Sequence, residues 1–314
     1  MSVYTVVDKS DLDEFLSAYS VGNLTSFEGI SAGIENTNYF VNTEKEGAEQ
    51  RFVLTIFEHH SFDELPYFLD IMAFMAEHKI PTAHPMPTQS GGYLVELKGK
   101  PAALVERLQG GGVDHPNPTQ CAVMGENLAK FHQAGADFTG HRDNDRGLDW
   151  MGSTYQLIAQ YLPEDEKALI EDELAFQSSV HWSELPTGVI HADLFCDNAL
   201  FDGNQLSGII DLYYACNSSF LYDLAVMVND WCRQPSATKI AFDEQKIEQM
   251  MAGYQSQRAL TDAETQSWSA ALRLAALRFF LSRLKDKHIP REGEMTQIKD
   301  PNVFKQVLQL HRQA

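Results

Sequence analysis

Hydrophobic residues follow two different periods along this chain, and the change between them falls near residue 110. Over 51–58, Phe52, Leu54 and Ile56 alternate with Arg51, Val53 and Thr55, the two-residue period of a half-buried strand. Segments 24–30 and 38–43 flank a glycine-containing loop and predict two more strands. A hairpin is expected from 93–98 to 102–106, turning through Gly99-Lys100. Leu65, Phe68, Leu69, Met72 and Met75 instead recur at helical spacing, with Ser61 as the expected cap and Glu64 as its box partner. Pro81, Pro85 and Pro87 then stop any helix.

Gln109-Gly110-Gly111-Gly112 through Pro118 is the clearest break in composition, and it divides the chain into segments 1–108 and 109–314. Beyond the break, Thr119 is expected to cap a helix ending near Gly135, with Val123, Leu128, Ala129, Phe131 and His132 on its inner face. Further helices fit 155–162, 166–178, 221–231, 243–256 and 262–287, interrupted by a strand pair, 199–202 and 206–210, around Gly203-Asn204. The pattern predicts an α+β chain: a small antiparallel β-sheet lobe with one helix, a glycine-rich hinge that places a cleft, and a larger, mainly helical lobe.

Charge narrows the possible partners. The 314 residues carry 24 Lys+Arg against 44 Asp+Glu, a formal net charge of −20, which argues against nucleic acid because phosphates would be repelled over most of the surface. No segment approaches the roughly 18 uncharged apolar residues of a membrane span, and the N-terminus, MSVYTVVDKSDLDEF, lacks the basic start and apolar run of a signal peptide. The cysteines at 121, 196, 216 and 232 form no C-x-x-C pair and no zinc spacing, so they read as reduced cytosolic thiols. A cytoplasmic protein that handles a small molecule is expected.

The richest stretch is His191-Ala192-Asp193-Leu194-Phe195-Cys196-Asp197-Asn198, followed by a hydrophobic strand ending in Ile209-Ile210-Asp211. Phosphoryl transfer needs a group that accepts or orients the attacking hydroxyl, and oxygen ligands that hold Mg²⁺ on the ATP phosphates. Asp193, Asn198 and Asp211 supply these in the required order; a plain surface turn is the bland alternative for any one of them alone. His141-Arg142-Asp143 mimics the protein-kinase triplet, but Leu148 stands five residues after Asp143 and cannot bind metal, so 141–147 reads as a polar loop. A metallohydrolase using His191, Asp193, Asp197 and Asp211 would want a further His, and none lies between 192 and 287. The loop over 28–38 contains Gly29 and Gly33, where backbone amides can approach phosphates, and no P-loop motif occurs.

Segments 189–211, 28–39 and 219–225 resemble the aminoglycoside phosphotransferase/choline kinase superfamily, relatives of protein kinases with a two-lobed fold. More narrowly, Gly33-Ile34-Glu35-Asn36-Thr37-Asn38-Tyr39, Val53-Leu54-Thr55-Ile56-Phe57-Glu58, His191-Ala192-Asp193-Leu194-Phe195 and Leu277-Arg278-Phe279 resemble the bacterial homoserine kinase family within it. The resemblance runs over nearly the whole chain. It implies transfer of the γ-phosphate of ATP, with Mg²⁺, to the side-chain hydroxyl of L-homoserine, a step in threonine biosynthesis. It further implies Asp193 as the catalytic Asp, Asn198 and Asp211 as Mg²⁺ ligands and His191 as the residue that orders the loop. Asp223 matches an Asp that supports the catalytic loop, although a helix-start carboxylate is its plain reading. On the nucleotide side, the resemblance points to Gly29, Ser31, Gly33, Asn36, Asn38 and Thr55 around the phosphates, and to Glu106 and Leu108 at the adenine hinge.

The chain departs from the superfamily at Thr55, where most members have a Lys that pairs with the ATP phosphates; homoserine kinases of this type resemble it in having Val-Leu-Thr. Mg²⁺, loop amides, Asn36 and Asn38 are candidate replacements, with Arg51 a weaker one. A zwitterionic acceptor needs a cation for its carboxylate and an acceptor for its ammonium. Arg273, Arg278 and Arg283 interrupt a strongly apolar segment, and a buried guanidinium without a partner is costly. Arg278 is the expected carboxylate ligand and Asp197 the expected ammonium ligand, against the plain reading that these Arg pair with the chain's own acids. A choline, ethanolamine or aminoglycoside kinase is the rival, for which Tyr213, Tyr214, Tyr222 and Trp231 offer an aromatic cage. A catalytically silent nucleotide-binding protein is the rival outside the class.

Overall fold

The structure is a computed structural model that describes residues 4–30, 36–234, 239–290 and 299–313. The chain divides into two compact units, Met1–Gln109 and Gly110–Ala314.

The first unit is an antiparallel sheet in the order β1-β2-β3-β5-β4, formed by β1 (Asn23–Gly29), β2 (Thr37–Lys45), β3 (Ala48–Ile56), β4 (Leu94–Leu97) and β5 (Lys100–Glu106). Alternation in β3 works as expected: Phe52, Leu54 and Ile56 enter a core with Tyr39, Val41, Ala102 and Leu104. A helix that the hydrophobic pattern did not announce, α1 (Lys9–Leu16), closes this core with Leu12, Phe15 and Leu16. Its start is set by a capping box between Asp8 and Asp11. The β4–β5 turn lies one residue earlier than expected, because Lys98 and Gly99 both take the left-handed conformation that a two-residue hairpin demands. In α2 (Leu65–Glu77) the expected face is buried, but Ser61 and Glu64 bond to each other one turn before the helix rather than capping it.

The second unit begins with α3 (Pro118–Gly135), α4 (Leu148–Ile158) and α5 (Glu164–Ser178). Asn117, not Thr119, caps α3, in a box with Gln120, and Pro118 occupies the first turn where no amide is needed. Two short strand pairs follow: β6 (Thr187–Ile190) with β9 (Cys216–Ser219), and β7 (Ala199–Asp202) with β8 (Gln205–Ile209). The remaining helices are α6 (Phe220–Trp231), α7 (Glu244–Gln257), α8 (Asp262–His288) and α9 (Pro301–His311). α6 is buried nearly all round, and α8 buries Leu274, Ala275, Leu277, Phe280 and Leu281 along its middle. No helix among the described residues is long and apolar enough to cross a membrane.

α3 and α7 pack closely, and small residues permit it. A Cβ on Gly125 would meet Met250 O at 2.1 Å, and one on Gly253 would meet Ala122 O at 2.1 Å. Backbone atoms cannot yield as a flexible side chain can, so Gly125→Ala should destabilise the protein by about 1–3 kcal/mol, the usual range for overpacking. A Cβ on Gly152 in α4 would meet nothing within 4 Å beyond its own helix. Gly152→Ala should therefore stabilise by about 0.4–1 kcal/mol, through helix propensity and a less free unfolded chain. Urea denaturation of both variants measures the contrast, and midpoints moving in the same direction would refute it.

Candidate active site

Strand β6 carries two fully buried residues, Val189 and Ile190, into the loop that begins at His191. At Ala192 the chain takes a left-handed turn, φ 66°, which a non-glycine residue adopts at a cost. The turn is held from below by Asp223 of α6. Its carboxylate accepts the amides of His191 at 2.9 Å and Ala192 at 2.8 Å, and also His132 Nε2 at 3.0 Å. Asp223 is fully buried, and burial opposes its charge. The hydrogen bonds from His132 and the His191 amide more than offset that, and hold the carboxyl below its ordinary range.

His191 is itself fully buried, and burial keeps its imidazole neutral. Nε2 donates to Ile210 O at 3.0 Å, which leaves Nδ1 to accept the Asp193 amide at 3.3 Å. The rest of the loop is pinned in the same manner. Trp231 Nε1 donates to Leu194 O at 3.0 Å, and the Cys196 amide donates to Asp230 Oδ2 at 2.9 Å. Phe195 packs on Phe279 of α8 and Phe304 of α9, with ring centroids 4.5 and 5.9 Å away. Asp223, Asp230 and Trp231 lie seven and eight residues apart, two turns of one helix face, so α6 serves as the bed of the loop.

The β7–β8 hairpin brings Asn198 and Asp211 together. Ala199 pairs with Ile209 and the Ile210 amide donates to Asn198 O at 3.0 Å, so both residues leave the hairpin at the same end. Asn198 Nδ2 donates to Asp193 O at 2.8 Å and Oδ2 at 3.4 Å, which turns its carbonyl oxygen away from Asp193. Asp211 is half-buried and left-handed, φ 63°. Burial pushes the Asp193 carboxyl up to about 8; Arg278 pulls against that, while Asp211 adds to it. Carboxylate and amide oxygens are hard donors that suit Mg²⁺, which takes few protein ligands and completes its shell from phosphates and water. The described residues contain no group of three His, Cys, Asp or Glu able to hold a metal ion.

The three arginines of α8 have different fates. Arg273 makes a bidentate pair with buried Glu173, at 2.6–3.1 Å, and Arg283 Nη1 donates to Asp300 O at 3.0 Å. Arg278 is 5 % exposed and donates to Ser282 Oγ at 3.1 Å; among the described residues its Nε has no hydrogen-bond partner. Its guanidinium lies 4.1 Å from the Phe279 ring centroid and 5.5 Å from that of Tyr214. No carboxylate among the described residues pairs with it.

Several expected residues take other roles. Trp231 has no exposed surface, so it braces the loop and cannot contact an acceptor, and Tyr222 is likewise buried. Asp197 is exposed and ion-pairs with Lys299 at 3.1 Å, so its carboxylate already has a cation. Arg51 pairs with Glu49 at 3.2 Å on the surface of β3. His141 and Asp143 form an exposed pair within a loop, as the missing metal ligand implies. In the first unit, Thr55 Oγ1 donates to Asn38 Oδ1 at 2.8 Å, Asn38 Nδ2 donates to Asn36 O at 3.3 Å, and Asn36 Oδ1 accepts the Glu58 amide at 3.4 Å. A polar, uncharged chain thus stands where the superfamily lysine would be, and Lys100 is paired with Glu58. Gly29 ends β1 opposite Tyr39, whereas Ser31 and Gly33 lie outside the described residues. The amides of Glu106 and Arg107 are taken by His84 O and Arg51 O. Asp230 and His132 were not singled out from sequence as loop supports, since Asp230 sits in an apolar helix and His132 on a helix's inner face.

Residues 26–260 match the phosphotransferase enzyme family. The homoserine kinase of Methylobacillus flagellatus is 44% identical over 308 residues, covering 98% of this chain and 94% of that protein. That of Polaromonas naphthalenivorans is 41% identical over 312 residues, covering 98% and 97%. Among solved structures, an amicoumacin kinase superposes with a TM-score of 0.72 at 15% identity, covering 98% of this chain and 92% of that one. A choline kinase from Cryptosporidium parvum Iowa II gives 0.69 at 12%, covering 98% and 95%. The fold is the two-lobed, protein-kinase-like fold of these enzymes, and the chain belongs to the phosphotransferase enzyme family, where it groups with the homoserine kinases.

Proposed function

We propose that this chain is an ATP-dependent homoserine kinase, which moves the γ-phosphate of ATP to the side-chain hydroxyl of L-homoserine. The observation that carries the acceptor is Arg278, a nearly buried guanidinium without an anion that acts electrostatically on Asp193. A substrate carboxylate would supply the missing partner in a charge-assisted bond. A choline-type acceptor has no such group, and two members of its aromatic cage, Tyr222 and Trp231, are buried. The four unpaired thiols support a reducing compartment such as the cytoplasm.

In this reading Asp193 accepts or orients the proton of the attacking hydroxyl, and Asn198 fixes its carboxylate through Nδ2. Asn198 Oδ1 and the Asp211 carboxylate would hold Mg²⁺, which would supply positive charge against the negative charge of the transferring phosphoryl group. His191 does not touch substrate; it ties the loop to the strand that delivers Asp211. The first unit provides the nucleotide lobe. Gly29, Asn36 and Asn38 border the loop over the phosphates, Thr55 stands at the lysine position, and the hinge at Glu106–Leu108 meets adenine. With net charge −20 and Thr at position 55 in place of a lysine, anionic ATP would be bound locally, chiefly through the metal.

Three outcomes follow from these assignments. Asp193→Asn should lower kcat by at least about 10²-fold, the lower end for a lost general base, with ATP affinity kept; near-wild-type turnover would remove Asp193 from the chemistry. Asp211→Ala should abolish Mg²⁺-dependent ATP binding measured by calorimetry, and an unchanged Kd would contradict the ligand assignment. Arg278→Ala should raise KM for homoserine by roughly 10- to 100-fold, the equivalent of one hydrogen bond to a charged group, and leave KM for ATP nearly constant. An ADP-release assay over homoserine, choline, ethanolamine and an aminoglycoside tests the acceptor itself, and turnover of choline in preference to homoserine would overturn the reading.

A further inference from the structure

The brace beneath the loop has a second layer that the chemistry above does not use. His132 of α3 is 1 % exposed and lies between Asp223 and Tyr254 of α7. A carboxylate can only accept, so the proton of the neutral ring sits on Nε2 and points at Asp223 Oδ2, 3.0 Å away. Nδ1 is then bare and accepts the Tyr254 hydroxyl at 2.8 Å. Tyr254 Oη in turn accepts Arg258 Nη1 at 3.1 Å, and Arg258 Nη2 pairs with Glu264 at 2.9 Å. The Asp223 carboxylate can only accept and the Arg258 guanidinium can only donate, so the Tyr254 hydroxyl gives its proton to Nδ1 and the tautomer of His132 is determined by its neighbours. The ring plane is set as well, by Phe220 stacked 4.5 Å away at 27°.

We propose that His132 is a positioning residue for phosphoryl transfer: its Nε2–H fixes the Asp223 carboxylate so that both oxygens meet the amides of His191 and Ala192. Oδ1 accepts Ala192, while Oδ2 is shared by His191 and His132. Without the imidazole, Oδ2 loses one of its two donors and the carboxylate is free to turn about its last torsion. The left-handed turn at Ala192 then loses its support, and Asp193, the next residue, moves with it. A displacement of about 1 Å at a reacting group is enough to cost about 10²-fold in rate. The proposal rests on the phosphotransfer reading of Asp193.

The test uses two isosteres. Gln at 132 places an amide N–H near the Nε2 position and keeps the bond to Asp223; Asn is one atom shorter and reaches only toward Tyr254. His132→Gln should keep kcat within about threefold of wild type, whereas His132→Asn should lose roughly 10- to 100-fold, with KM for ATP and homoserine shifting less than about threefold in both. Equal kcat in the two variants, or KM moving as much as kcat, would overturn the proposal. Amide exchange in the wild-type protein provides a readout independent of catalysis and of variant folding. The amides of His191 and Ala192 should exchange together with the His132 Nε2 proton; those amides opening while the imidazole proton stays protected would refute the coupling. A wild-type protein that releases no ADP with homoserine would defeat the acceptor assignment while leaving the exchange result to stand or fall by itself.

Discussion

Asp223 is a charge placed where charge is least welcome, fully buried in α6, and the loop from His191 to Asn198 is shaped by the donors gathered around it. An isolated carboxylate in that position would take up a proton. Here two backbone amides and an imidazole keep it ionised, and the same three bonds hold the chain in a turn that Ala192 would not choose alone. Stability and function therefore share one interaction. Strain at Ala192 is tolerated because the carboxylate beneath it needs those two amides, and the carboxylate stays charged because the turn presents them.

The helical unit supports this arrangement by division of labour. α6 supplies the bed through Asp223, Asp230 and Trp231, and α3 and α7 approach closely enough at Gly125 and Gly253 for His132 and Tyr254 to meet. α8 acts at both ends of the system. Its capping residue Glu264 ends the series with an ion pair to Arg258, while Arg278, four turns further on, bears on Asp193. In a protein of net charge −20, Arg278 and Lys299 both act electrostatically on the Asp193 carboxyl.

What could be read from sequence divides by distance along the chain. The motif from His191 to Asn198 and Asp211 beyond the hairpin are local, so spacing alone placed them together. The alternation of β3 and the long apolar run of α8 were legible for the same reason. Partners far apart were not. His132 meets Asp223 across 91 residues, and on its own helix it looks like any inward-facing residue. β9 reads Cys-Asn-Ser-Ser, which has no apolar alternation, and it becomes a strand only because β6 lies beside it. α1 was missed because its capping carboxylates look like ordinary surface acids. Trp231 was misassigned for a related reason: an aromatic residue near a site reads as a binding surface until its burial is known.

Under the proposed function, the lack of an anionic partner for Arg278 among the described residues bears on how acceptors would be told apart. A pocket that rewards the right ligand must still tolerate near misses, but a stranded guanidinium penalises every alcohol that brings no anion to it. Discrimination then lies in what the wrong molecule leaves undone. In that proposed function, Arg278 of α8 would select the acceptor and residues 191–211 would carry the transfer, so acceptor choice and chemistry would occupy separate stretches of polypeptide. A lineage could exchange one alcohol for another by altering a few helix positions, with the reaction centre left intact.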